Sequence, residues 1–162
     1  MREPVMWGVL LLLFAATSGC ASLSDRRAGD AEGIFSGAWS VPWCDTTDPE
    51  LECGGFAITL IQQGNRICGE FTGALVNLRQ VDDGGITGSA DGDVAMLAVR
   101  SGRSDAIVQV RATRIGRDLH WKQTGLIREG GSDIDVIALD DLLTPAAENR
   151  PLLPETCTVQ GL

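Results

Sequence analysis

The chain reads as an all-β protein: about eight short strands forming an antiparallel up-and-down barrel, stapled by disulfides. Three observations predict it. From Ile34 to Leu139, apolar and polar residues alternate with period two in runs of about five to ten residues. Short segments rich in Gly, Asn and Asp separate the runs, so successive strands are antiparallel neighbours. No stretch between them carries the 3.6-residue period of an amphipathic helix. Eight antiparallel strands with one small apolar face lose their edges most economically by closing on themselves.

The first strand spans Ile34 to Val41 and puts Phe35, Gly37, Trp39 and Val41 on one face. Phe56 to Gln62 follows, with Phe56, Ile58 and Leu60 inward, and Gly64-Asn65 is a two-residue hairpin turn. Arg66 to Gly73 turns Ile67, Gly69 and Phe71 to the core and leaves Cys68, Glu70 and Thr72 outside. Asp82-Asp83-Gly84-Gly85 reads as a turn before a short strand, Gly85 to Ser89. After Asp91-Gly92, the strand Asp93 to Arg100 sets Ala95, Leu97 and Val99 against Met96, Ala98 and Arg100. Ser101 to Ser104 turns into Asp105–Arg114, with Ala106, Val108, Val110 and Ala112 inward. Ile115-Gly116-Arg117 turns into Asp118–Gly125, with Leu119 and Trp121 inward and His120, Lys122 and Thr124 outward. The last strand is expected over Ser132–Leu139. Beyond it, Asp140 to Leu143 suggests one helical turn, and 141–162, with Pro145, Pro151 and Pro154, reads as a tail packed on a 34–140 barrel.

The first nineteen residues read as an address. Val5 to Ala16 is an apolar run of twelve residues. As a helix it would span about 18 Å against a hydrocarbon core of about 30 Å, so it reads as the core of a signal peptide. Thr17-Ser18-Gly19-Cys20 then resembles the lipobox of bacterial prolipoproteins. The resemblance implies a signal peptide over 1–19, diacylglycerol and palmitate-type acyl chains on Cys20, and membrane anchoring through that lipid. With Ala21 after the cysteine it implies sorting to the periplasmic face of the outer membrane. Plain secretion, with cleavage near Ala15-Ala16 or Gly19, is the other reading. Residues 20–33 are polar and without periodicity, as in a flexible tether.

Four further cysteines, Cys44, Cys53, Cys68 and Cys157, fit an oxidising compartment. The favoured pairing is Cys44–Cys53 with Cys68–Cys157, and Cys44–Cys157 with Cys53–Cys68 is nearly equivalent. Their spacing lacks any C-x-x-C knuckle, which argues against a zinc site.

Gly37-Ala38-Trp39 at the first strand, Gln63 to Gly69 across the first hairpin and the strand-turn-strand rhythm to Leu139 resemble small calycin-type barrels, avidin-like or lipocalin-like. The avidin biotin site needs tyrosine, and this chain has none.

The 162 residues carry 44% hydrophobic and 22% charged side chains, ordinary for a globular domain. A net charge of -9 argues against nucleic acid as partner. The single histidine, His120, falls on an outer face, and no Gly-x-Ser-x-Gly elbow is present, so no catalytic residue is assigned. Asp45, Asp48, Glu50 and Glu52 lack the spacing of a calcium loop and read as a solvated disulfide loop, so no metal and no cofactor is expected. Residues 100–128 hold seven basic residues against two acidic ones. Arg100, Arg111 and Lys122 point outward on consecutive strands and are the candidate docking residues for a protein partner. The expected function is non-catalytic binding. Small lipid-anchored, disulfide-bonded barrels include protease and lysozyme inhibitors, which insert a loop into a cleft; the loops here are 101–104, 115–117 and 128–133. A small-ligand carrier and a structural envelope lipoprotein are the alternatives.

Overall fold

The computed structural model describes residues 33–146 and Cys157. The expected signal peptide, Cys20 and the expected tether through residue 32 lie outside the described residues, as does the rest of the expected tail beyond Ala146. The strands are β1 (Gly37–Trp43), β2 (Gly54–Gln63), β3 (Arg66–Ala74), β4 (Val81–Asp91), β5 (Val94–Ser101), β6 (Ile107–Ile115), β7 (Asp118–Arg128) and β8 (Asp140–Pro145). They form a closed antiparallel barrel in which each strand pairs with its sequence neighbour. Trp39 opposite Pro145 joins β1 to β8 and closes it.

The alternation read from the sequence sets the faces. Phe56, Ile58 and Leu60 on β2, Ile67 and Phe71 on β3, and Ala95, Leu97 and Val99 on β5 are all buried. So are Val108, Val110 and Ala112 on β6 and Leu119 and Trp121 on β7. The interior is one continuous apolar cluster. Phe56 stands at its centre, with ring centroids 5.6 Å from Phe71, 5.2 Å from Trp121 and 6.1 Å from Trp43.

Three elements depart from expectation. The closing strand is Asp140–Pro145, so the barrel extends beyond residue 140 and the expected helical turn is a strand. Ser132–Leu139 is not a strand; it crosses the barrel mouth and buries Val136, Ile137 and Ala138 there. Its alternating apolar residues plug the mouth rather than face a sheet. The ladder instead joins Lys122 to Asp140 and Leu119 to Leu143, and Leu143 fills the interior. Likewise Asp82-Asp83-Gly84-Gly85 is no turn but the first half of β4. Gly84 is required there because a Cβ would collide with the Arg100 carbonyl and lie 2.8 Å from the Phe71 ring.

Antiparallel succession divides the connections between two ends. At the hairpin end lie the tight turns Gly64-Asn65, Gly92-Asp93 and Gly116-Arg117. Gly64, Gly92 and Gly116 each adopt positive φ, the condition of such turns. The chain also joins β1 here: the Phe35 N–H donates to Gln62 Oε1 at 3.1 Å. The Arg114 guanidinium lies 5.3 Å from the Trp39 ring centroid, covering the core at this end. At the loop end lie the longer connections 44–53, 75–80, 102–106 and 129–139.

The disulfides are Cys44–Cys53 and Cys68–Cys157. The first closes the β1–β2 loop. The second fastens Cys157 to the outer face of β3, as the outward register of Cys68 allows.

Candidate functional site: the loop end of the barrel

The loop end is organised by a buried acid. Asp82 is wholly inaccessible to solvent. Its Oδ2 accepts the Ser101 hydroxyl at 2.7 Å and the Val136 N–H at 3.1 Å. Its Oδ1 accepts the N–H groups of Asp83 at 2.9 Å and Arg103 at 3.2 Å. One carboxyl group thus ties β4, the β5–β6 loop and the segment across the mouth. Ser104 extends the network: its N–H donates to Ser101 Oγ at 3.0 Å, and its carbonyl accepts the Gly131 N–H at 2.6 Å. The Trp121 indole donates to the Ala138 carbonyl at 3.0 Å, fixing the mouth segment from below. A buried polar group with all its partners present holds one geometry.

Around this framework stand two loops. The β3–β4 connection contains a single 3-10 turn, Val76–Leu78, and carries Asn77 and Leu78 at φ +60° and +48°. The Asn77 N–H donates to the Glu52 carbonyl at 2.7 Å, which places the disulfide loop alongside. In that loop Asp45 Oδ1 accepts Thr47 Oγ1 at 2.6 Å, the Thr47 N–H at 2.8 Å and the Asp48 N–H at 3.2 Å. These bonds, led by the Thr47 hydroxyl, hold the Asp45 carboxyl below its ordinary pKa. The acid is engaged in shaping its own loop.

The expected basic stripe is only partly assembled. Arg111 and Lys122 are direct cross-strand partners. Arg100 faces Ile107, four residues along β6 from Arg111, which is about 13 Å at strand rise. Arg100 is ion-paired with Asp105 at 2.7 Å, and Lys122 with Asp140 at 2.8 Å. Asp105 lies below its ordinary pKa through the Arg100 hydrogen bond first, and Asp140 through the Lys122 bond and then that of His120. His120 Nε2 lies 2.7 Å from Asp140 Oδ1, so the one histidine belongs to an exposed ion cluster on the wall. Of the loops singled out by sequence, 101–104 and 128–133 meet at the loop end through Ser104 and Gly131, and 115–117 lies at the opposite end.

Sequence reasoning missed Asp82 and the β3–β4 tip. An Asp-Asp-Gly-Gly run carries a turn signal whether or not its first acid is buried. Leu75 and Leu78 carry no periodic signal.

No protein-family model, curated protein or solved structure matches the chain.

Proposed function

We propose that this protein is a lipid-anchored, non-catalytic binding module that engages a protein partner through the loop end of its barrel. An inhibitor of a secreted hydrolase, protease or lysozyme, is the form in which a preformed loop end enters an enzyme cleft. The observation that carries the reading is the interior. It is occupied by the protein's own aromatic and aliphatic side chains, and its mouth is plugged by Val136, Ile137 and Ala138. A carrier needs that volume for its ligand. Recognition then falls to the outside, where the longer connections gather at one end.

The proposed anchor suits this arrangement. Cys20 is thirteen residues before Gly33, a reach of at most about 45 Å. Gly33 lies at the hairpin end, where its carbonyl accepts the Ser36 N–H. A lipid on Cys20 at the outer membrane would therefore connect to the barrel at its hairpin end, with reach enough to leave the loop end free to meet a partner in the periplasm.

Two measurements test the reading. Metabolic labelling with palmitate is expected to mark the wild type and not Cys20→Ala; equal labelling overturns the anchor. Native mass spectrometry of protein purified from its own envelope is expected to show the lipidated chain without a stoichiometric small molecule, with inhibition or tight binding in a panel of lysozymes and serine proteases. A retained small molecule at one per chain would overturn the binding-module reading in favour of a carrier.

A further inference from the structure

We propose that Leu75, Leu78, Val81 and Ile134 form one docking tip, and that its occupant is a protein whose apolar pocket is bordered by lysine or arginine. The inference rests on the binding-module reading and names its surface and the chemistry of its partner.

The four side chains are 40%, 50%, 50% and 63% exposed, on a chain whose interior accommodates far larger groups. One exposed leucine is ordinary, but several on segments tied together make a patch. The tie is direct: the Gln80 side-chain amide donates to the Ile134 carbonyl at 3.2 Å. Arg103 clamps both segments, donating to the Val81 carbonyl at 3.2 Å and to Asp133 at 3.3 Å. Within the β3–β4 connection the Leu75 N–H bonds the Gln80 carbonyl and the Leu78 N–H bonds the Leu75 carbonyl, each at 2.9 Å. These bonds and the Glu52 carbonyl hold Asn77 and Leu78 in the left-handed region, which residues with a Cβ disfavour. The tip is thus built before any partner arrives, and a preformed surface loses little freedom on binding.

Charge selects the occupant. Asp48, Glu50 and Glu52 are exposed on the disulfide loop beside the tip, and Asp133 and Asp135 flank Ile134. On the other side of the balance stand Arg79 and Arg103, and Arg103 already pairs with Asp133. An acidic rim around an apolar centre is complementary to an apolar pocket with a basic rim. A second copy docking by the same face would bring two acidic rims together. An anionic bilayer surface would repel the rim as well.

The test places a photo-crosslinking p-benzoylphenylalanine at Leu78, at Ile134 or at Arg111 on the barrel wall, in the full-length protein in its native cells. Positions 78 and 134 are expected to give the same protein adduct, mapped to an apolar pocket flanked by lysine or arginine, and position 111 none. With that partner purified, Leu78→Asp is expected to weaken binding at least tenfold. Glu50→Lys with Glu52→Lys is expected to slow association at least tenfold and remove its salt dependence, with the melting temperature unchanged within a few degrees. If Leu78→Asp does not fold, the charge reversal decides alone. An adduct from 111 and not from 78 or 134 overturns the tip and leaves the binding-module reading standing. Adducts only to lipid or to a second copy of the chain overturn the choice of occupant. No protein adduct from any position overturns both readings.

Discussion

Asp82 has a consequence for stability that its sequence context conceals. Replacing it with Ala leaves the Ser101 hydroxyl and the Val136 N–H without their acceptor in a dry site, and leaves the Arg103 N–H with Ser101 Oγ alone. Lost hydrogen bonds to a carboxyl group and stranded donors cost about 3 kcal/mol or more together. Denaturant unfolding of Asp82→Ala is expected to show that loss, and a change below about 1 kcal/mol would mean the network is not as described. Asp140 makes a contrasting case on the surface. Its carboxyl is held below the ordinary aspartate value of 3.8, first by Lys122 and then by His120. A depressed folded-state pKa contributes stability that is present above the unfolded value and lost as pH falls through the folded one. Carboxyl NMR is expected to place the Asp140 midpoint below 3.8 and to move it upward in Lys122→Met. At residue scale the inward and outward positions were legible, because a pleated strand allows only two faces. Ile58, Leu97, Val110 and Trp121 lie where alternation puts them. Asp82 was not legible, since an acid's burial depends on donors that arrive from two remote loops.

At the scale of elements, strands with two-residue turns were readable and the closing strand was not. Gly64-Asn65 fixes the β2–β3 register from both sides, through Gln63 opposite Arg66. Ser132–Leu139 shows the same alternation without being a strand, because Val136 is drawn to Asp82 and the chain must cross the mouth before it can pair with β7. Asp140–Pro145 has the weaker pattern, but it lies between β7 and β1 and supplies Leu143 to the core. The disulfides belong to this scale too. Cys44–Cys53 spans nine positions and Cys68–Cys157 spans 89. Loop-closure entropy gives about 2.7 kcal/mol for the first and about 4.6 for the second as upper values. Removing the pair Cys68 and Cys157 by serine substitution is therefore expected to lower the melting temperature more than removing Cys44 and Cys53. The reverse order would show that the short bridge, through the β1–β2 loop, governs the unfolding of the whole barrel.

The whole molecule is an acidic body with a basic wall, and its two candidate faces make opposite demands on a partner. The loop end carries Asp48, Glu50, Glu52, Asp133 and Asp135, whereas the wall carries Arg111 and Lys122 side by side. Changing Arg100, Arg111 and Lys122 together to Glu replaces three positive charges by three negative ones, taking the chain from -9 to -15. The three positions are on the outside, two of them in exposed ion pairs whose worth is about 0–1 kcal/mol each. Glu at 111 opposite Glu at 122, and Glu at 122 beside Asp140, add like-charge costs of about 0.2–1 kcal/mol per pair. The barrel is therefore expected to stay folded by circular dichroism with a modest loss of stability. Association then separates the faces by sign. Toward a partner with a basic rim, a more acidic body is steered faster, most visibly at low ionic strength, where the screening length is about 30 Å at 0.01 M. Toward a partner that docks on the wall, the same reversal removes the attraction and slows capture. Stopped-flow association of the triple variant at low salt is expected to be as fast as wild type or faster. A tenfold slower rate, restored by returning Arg111 alone, would move the docking face from the loop end to the wall.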